Sequence, residues 1–260
     1  MRSAQGGHKP REIVRGRARV VVSRDLEALS ALAAELFVTL AQQAGEVEGN
    51  RFTVALSGGE TPRRLYTLLA SSAYATQVPW EHVHLFWSDE RHVPPDHPES
   101  NYRMTYETLL SRVPVPPENV YRVRAELREA GEAARDYEDV LRGFFTLQPD
   151  ELPRFDLVLL GLGVDGHTAS LFPGTAVLHD RKHLVAAPWV DKLKTYRITL
   201  TPRVLNKAAT VVFLVSGAEK AAVLHAVLDG PYDPDQFPAQ LVVPTGGTLL
   251  WMVDEAAAAL

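Results

Sequence analysis

The residues best suited to chemistry are Asp165 and His167, in the run Gly161-Leu162-Gly163-Val164-Asp165-Gly166-His167-Thr168. A carboxylate two residues from an imidazole can orient the ring or raise its basicity, so that the ring takes a proton from water near neutral pH. From this motif alone, a histidine that only caps an element or fills the core is the alternative. Gly161, Gly163 and Gly166 also satisfy the G-x-G-x-x-G pattern of dinucleotide sites. The residues downstream argue against a dinucleotide site. Pro173 and Gly174 would interrupt the crossover helix that must carry a pyrophosphate, and no second strand ending in a ribose-binding acid stands at the required distance.

Two further turns carry polar groups. In Leu56-Ser57-Gly58-Gly59-Glu60-Thr61-Pro62, adjacent glycines let backbone N–H groups approach an anion, and a following helix start favours negative charge. A tight turn with Thr61 as helix N-cap fits this stretch equally well. Ser57 is not expected to be a nucleophile, because Ala55 stands where the nucleophile-elbow pattern needs glycine. Trp87-Ser88-Asp89-Glu90-Arg91-His92-Val93-Pro94 packs both charge signs into one loop, and Asn101-Tyr102-Arg103 beyond it suggests polar ligand contacts. Taken alone, that loop reads more plainly as a solvated one whose Asp89 and Arg91 cap or pair. His82 and His84 alternate on a strand without a third ligand and are read as structural, so no metal is assigned.

These turns need elements to hold them. Short β-branched runs alternate with helix-like stretches, the pattern of a mostly parallel, Rossmann-like α/β sheet covered by helices on both faces. Strands are expected over Ala18–Ser23, Phe52–Leu56, Val83–Ser88, Asp156–Gly161, Thr195–Leu200, Thr210–Val215 and Leu249–Val253. Helices are expected over Asp25–Ala44, Thr61–Leu69, Asn101–Leu110, Glu129–Phe145 and Ala218–Leu228, with Ala256–Ala259 a frayed helix end. The Pro-rich stretches Val113–Pro117 and Gly230–Pro238 are too short to divide the chain, so a single domain over residues 18–260 is expected, preceded by a flexible tail over 1–17.

Composition narrows the partners. The 27 Lys and Arg against 32 Asp and Glu leave a net charge of −5, so no broad cationic field is available for nucleic acid or anionic lipid. Any bound anion must be held by a few local groups. The chain has no cysteine, which excludes disulfides, thiolate metal sites and a cysteine nucleophile, and fits a cytoplasmic setting. Residues 1–19 lack the apolar core of a secretory signal, and no apolar run reaches the length of a spanning helix, so no membrane contact is expected.

Ala55–Pro62, Trp87–Arg103 and Gly161–Gly174, in this order, closely resemble the lactonase branch of the glucosamine-6-phosphate isomerase/6-phosphogluconolactonase family. Tyr196–Thr201 resembles the family's arginine-bearing strand and Ser216–Lys220 its lysine-bearing helix start, so the resemblance spans about residues 20–253. It implies the fold shared by glucosamine-6-phosphate deaminase and ribose-5-phosphate isomerase. It also implies cofactor-free hydrolysis of 6-phospho-D-glucono-1,5-lactone to 6-phosphogluconate. Separately, a cytoplasmic protein is expected, a monomer rather than an obligate oligomer. By position, His167 would be the general base and Asp165 its orienting partner. Ser57, Gly58, Gly59, Thr61 and Asp89 would contact substrate, and Arg91, Arg197 and Lys220 would supply positive charge to the phosphate or the oxyanion. The deaminase branch resembles this chain but uses a glutamate where Phe172 stands, although Asp89 occupies a position where those relatives place a carboxylate base. A non-catalytic sugar-phosphate sensor would need a second interaction module, and no helix-turn-helix or long basic tail is evident.

Overall fold

Apolar runs too short for buried helices become strands, and those inside the sheet are buried along almost their whole length. In this computed structural model, residues 10–15, 18–46 and 51–259 are described. The strands are β1 (Arg11–Arg15), β2 (Ala18–Ser23), β3 (Phe52–Leu56), β4 (Val83–Trp87), β5 (Asp89–Arg91) and β6 (Leu157–Leu160). They continue with β7 (Val185–Ala186), β8 (Trp189–Val190), β9 (Thr195–Leu200), β10 (Thr210–Val215) and β11 (Thr248–Asp254). The helices are α1 (Leu26–Gly45), α2 (Glu60–Leu69), α3 (Asn101–Thr108), α4 (Ala130–Phe145), α5 (Pro202–Leu205) and α6 (Ala221–Asp229).

Seven strands form one sheet in the order β1-β2-β11-β10-β6-β3-β4, parallel except for β1. β3 and β6 are buried at every position, as expected for strands covered on both sides. Phe213 and Trp251, in register on β10 and β11, stack with centroids 3.8 Å apart. α1 lays Leu29, Ala33, Phe37 and Ala41, one residue in four, against the core. Burial of each large apolar side chain of this kind contributes roughly 1.5–3 kcal/mol.

The connectivity decides where a site can form. From β3 the chain passes through α2 outward to β4, whereas from β6 it runs the other way to β10. β3 and β6 are neighbours, so the turns leaving their C-terminal ends diverge and open a crevice between them, the position ligands favour in open α/β sheets. These turns are the Ser57-Gly58-Gly59 and Gly161–His167 stretches.

The structure also corrects the sequence reading. Thr195–Leu200, expected among the parallel strands, is the centre of a second, antiparallel sheet in which β9 pairs β5, β7 and β8. Its alternation marks a strand but not its partner, and β5, β7 and β8 are too short to show a period. Ser88 links the two sheets, its N–H donating to Leu56 O at 2.7 Å and its carbonyl accepting from Leu200 N at 2.8 Å. Arg11–Arg15, placed in the flexible tail, is instead an antiparallel edge strand on β2. Residues 1–9, 16 and 17 of that tail lie outside the described residues. Ala256–Ala259, expected as a helix end, is not helical: residues 255–258 form a turn, with Ala257 N–H donating to Asp254 Oδ1 at 2.8 Å. Among the described residues, no helix is long and apolar enough to cross a membrane.

Candidate active site

A cavity of ≈ 360 Å³ opens at the C-terminal edge of the large sheet, lined by the turns after β3, β6 and β10 and by the start of β5. Ser57, Gly58, Gly59, Thr61, Asp89, Arg91, His167 and Lys220 all line it. Asp165 and Arg197 do not. Asp165 stands behind His167, and Arg197 lies across from Arg91 in the β5–β9 register.

The glycine turns present backbone. α1 and α3 are closed by capping side chains, Asp25 accepting from Ala28 N at 2.9 Å and Ser100 from Arg103 N at 3.1 Å. α2 begins at Gly59, with φ of 104°, and has no side-chain cap, so Thr61 is not the N-cap that the turn reading allowed. Its first-turn N–H groups stay available to an anion from the cavity. Gly217, with φ of 106°, starts the turn that carries Lys220 and likewise has no side-chain cap. Asp254 fixes this turn, accepting from Ser216 Oγ at 2.5 Å and from Gly217 N at 3.1 Å. Gly58 is required for close packing, since a Cβ there would stand 1.9 Å from Asn101 Oδ1.

Two buried tyrosines lock the strand ends. Tyr66 Oη accepts from Ser57 N at 3.0 Å and donates to Ser57 O at 2.8 Å, and Tyr137 Oη makes the same pair of bonds with Trp87 at 2.8 and 3.1 Å. Burial pushes both phenols well above their ordinary range, so they remain protonated donors. Glu90, buried behind the site, accepts from the backbone N–H groups of Arg91, Asn101 and Tyr102 at 2.7–2.8 Å and from Ser100 Oγ at 3.1 Å. This ties β5 to the start of α3. Desolvation raises the Glu90 carboxyl above its usual range, against those hydrogen bonds.

His167 is held by its own loop. Its Nδ1 meets Asp165 Oδ1 in a short hydrogen bond, and its backbone N–H donates to the same oxygen at 3.3 Å. An anionic Asp165 selects the tautomer with hydrogen on Nδ1, which leaves the Nε2 lone pair free to accept a proton. The hydrogen bond from His167 holds the Asp165 carboxyl far below the usual carboxylate range, with a smaller contribution from Lys192 Nζ at 3.0 Å from Oδ2. Gly163 is needed beside this pair, because a Cβ would fall 2.0 Å from His167 Nδ1. Farther along the loop, Ser170 Oγ donates to Asp89 Oδ2 at 2.7 Å, joining the loop after β6 to β5.

The two arginines form a compact cationic pair. Arg197 is only 9% exposed, and its guanidinium is held below the ordinary arginine value by burial first and by Arg91 second. Arg91 Nη1 donates to Glu99 O at 2.8 Å, but its buried Nε has no partner among the described residues. Like charges facing one another across two strands cost free energy that an anion between or beside them recovers. His84, by contrast, is structural. It packs against Tyr121 and Phe144, and burial lowers its pKa to about 4. No group of three or more His, Cys, Asp or Glu among the described residues is arranged to hold a metal ion.

Sequence reasoning missed four contributors. Phe172 stacks on His167, Ser170 holds Asp89, Lys192 pairs with Asp165, and Tyr66 clamps the glycine turn. The position of Phe172 and Ser170 inside the histidine motif was the available signal. Lys192 and Tyr66 offered none.

The family described as "Glucosamine-6-phosphate isomerases/6-phosphogluconolactonase" matches residues 24–251. The chain is 42% identical over 240 residues to a 6-phosphogluconolactonase of Nostoc sp., covering 92% of this chain and 97% of that one. It is 44% identical over 216 residues to the human 6-phosphogluconolactonase, covering 81% of each. Among solved structures, the 6-phosphogluconolactonase of Trypanosoma brucei superimposes with a TM-score of 0.82 at 28% identity, covering 92% of this chain and 97% of that one.

Proposed function

The chain belongs to the glucosamine-6-phosphate isomerase/6-phosphogluconolactonase family, and from that premise we infer that it is the lactonase of the oxidative pentose phosphate pathway, with His167 as general base. The reaction is hydrolysis of 6-phospho-D-glucono-1,5-lactone to 6-phospho-D-gluconate. The observation that carries the residue assignment is the contact of Asp165 with His167 at the wall of a cavity that the uncapped glycine start of α2 also lines.

His167 Nε2 takes a proton from water as the water oxygen bonds to the lactone carbonyl carbon. The tetrahedral intermediate then expels the ring oxygen, which receives that proton back from the imidazolium. Asp165 fixes the tautomer and stabilises the imidazolium in between, without taking the proton itself. The carbonyl oxygen gains negative charge as water adds, and fixed donors and cations stabilise it without reorganising. Arg91, Arg197, Lys220 and the N–H groups around Gly58 and Gly59 supply these, together with the grip on the phosphate that holds the lactone in place. Ser57, Thr61 and Asp89 contact the sugar portion from the same wall. The proposed setting is a cytoplasmic monomer.

The test is stopped-flow proton release on freshly generated 6-phosphogluconolactone, comparing wild type, His167→Ala and buffer, with the unphosphorylated lactone in parallel. Rapid release only by wild type on the phosphorylated lactone supports both the chemistry and the phosphate grip. Wild-type rates equal to buffer would overturn the reading, and full activity in His167→Ala would overturn the assignment of the base.

A further inference from the structure

Asp165 and Gly163 constrain one edge of the His167 ring, but neither restrains its face. That face is covered by Phe172, whose ring stacks on the imidazole with centroids 4.1 Å apart and planes 20° from parallel. Phe172 is itself fixed. It is 7% exposed, and its carbonyl accepts from Thr175 Oγ1 at 2.7 Å and from Thr175 N at 3.2 Å. A phenyl ring has no group that could compete for the lone pair on Nε2, so it restrains the imidazole without occupying its catalytic nitrogen.

Phe172 also stands between two spaces. His167 lines the cavity of ≈ 360 Å³, whereas Phe172 and Asp165 line a neighbouring, larger cavity of ≈ 1040 Å³. Without the phenyl ring, the imidazole face would open to the larger space and its water.

We infer that Phe172 is a positioning residue for the hydrolysis, its ring setting the plane of the His167 imidazole and sealing the face of that ring from the larger cavity. The inference rests on the reading of His167 as the base. A stacked aromatic contact of this kind corresponds to about a three- to tenfold change in rate when it is made fully only in the aligned state. Its loss therefore falls on kcat, while the groups that hold the phosphate leave KM in place.

The experiment measures kcat and KM for wild type, Phe172→Tyr, Phe172→Leu, Phe172→Ala and His167→Ala. It also records the carbon-bound imidazole protons of His167 by NMR, assigned by their absence in His167→Ala. In wild type these protons lie upfield, shifted by the ring current of the stacked phenyl. Phe172→Tyr keeps that shift and near wild-type kcat. Phe172→Leu restores bulk but not a flat plate, so it loses the shift and about three- to tenfold in kcat at unchanged KM. Phe172→Ala, which also opens the wall, falls further. A purely structural role predicts that kcat follows thermal stability and that Leu and Tyr behave alike, and that result would overturn the inference. So would the absence of an upfield shift in wild type, a readout that needs no Phe172 variant to fold. An inactive His167→Ala beside a fully active Phe172→Leu removes the inference alone, whereas a fully active His167→Ala removes the base reading and this inference with it.

Discussion

Around Gly58 and Gly59, the cavity wall offers backbone N–H groups at the start of α2, held by the end of β3 and by Tyr66. Around His167, it offers one side chain, fixed by Asp165 and Phe172 with Lys192 behind. The first arrangement suits negative charge, whether on a bound phosphate or developing on the carbonyl oxygen, because its donors are rigid and need no proton exchange. The second suits a group that must gain and lose a proton, because an imidazole can do so and a peptide N–H cannot. Anion stabilisation and proton transfer therefore rest on different groups and are separable by mutation.

The largest effect expected is that of His167→Ala. Loss of a general base lowers kcat by about 10²–10⁴, and KM should stay close to wild type, as read from steady-state rates corrected for spontaneous lactone hydrolysis. A comparable rise in KM would break the separation. Next comes Lys220→Ala, where one charge-assisted contact to the substrate is lost. KM should rise about 10- to 100-fold with kcat little altered, and the unphosphorylated lactone should be hydrolysed equally by variant and wild type.

Asp165→Asn is expected to lower kcat by about tenfold, since it removes the charge that stabilises the imidazolium but not the base itself. It also carries a pH signature. The folded Asp165 carboxyl titrates below its unfolded value, so the stability it provides is complete above an unfolded pKa of about 3.9 and is lost as pH falls through the lower folded value. Melting wild type and Asp165→Asn across that range should show the wild-type advantage shrinking on acidification, and a gap independent of pH would contradict it. The smallest effect is that of Lys192→Ala. Its side chain is 64% exposed, so its ion pair with Asp165 is worth at most about fivefold in kcat. A larger loss would mean that the histidine region extends farther outward than its buried contacts indicate.

The parts of this molecule that could be read from sequence are those whose meaning is local. The helix of Leu26–Gly45 shows its 3.6-residue stripe, although Asp25, read as part of it, is its N-cap, and Phe52–Leu56 is an apolar run stopped by a glycine turn. The Asp165–His167 pair lies two residues apart on one tight loop, so its contact is set by spacing. The parts that escaped are those where meaning depends on a distant partner. β5 is three residues long and reads as a charged loop until β9, more than 100 residues later, pairs with it. Arg11–Arg15 reads as a polar tail because Arg11, Glu12 and Val14 are exposed and only Ile13 packs toward the core, so that pairing with β2 is what makes it a strand.

Sequence by itself determined the class of fold, the glycine turns that end its strands, and the titratable groups available for lactone hydrolysis, because residue type and near-neighbour spacing set these. Tertiary structure alone decided that Arg91 faces Arg197, that Ser170 bridges 81 residues back to Asp89, and that Phe172 rather than solvent covers His167. Those contacts depend on which backbones the sheet order β10-β6-β3 brings side by side, and on how the divergence of their turns leaves room for a small polar cavity between them.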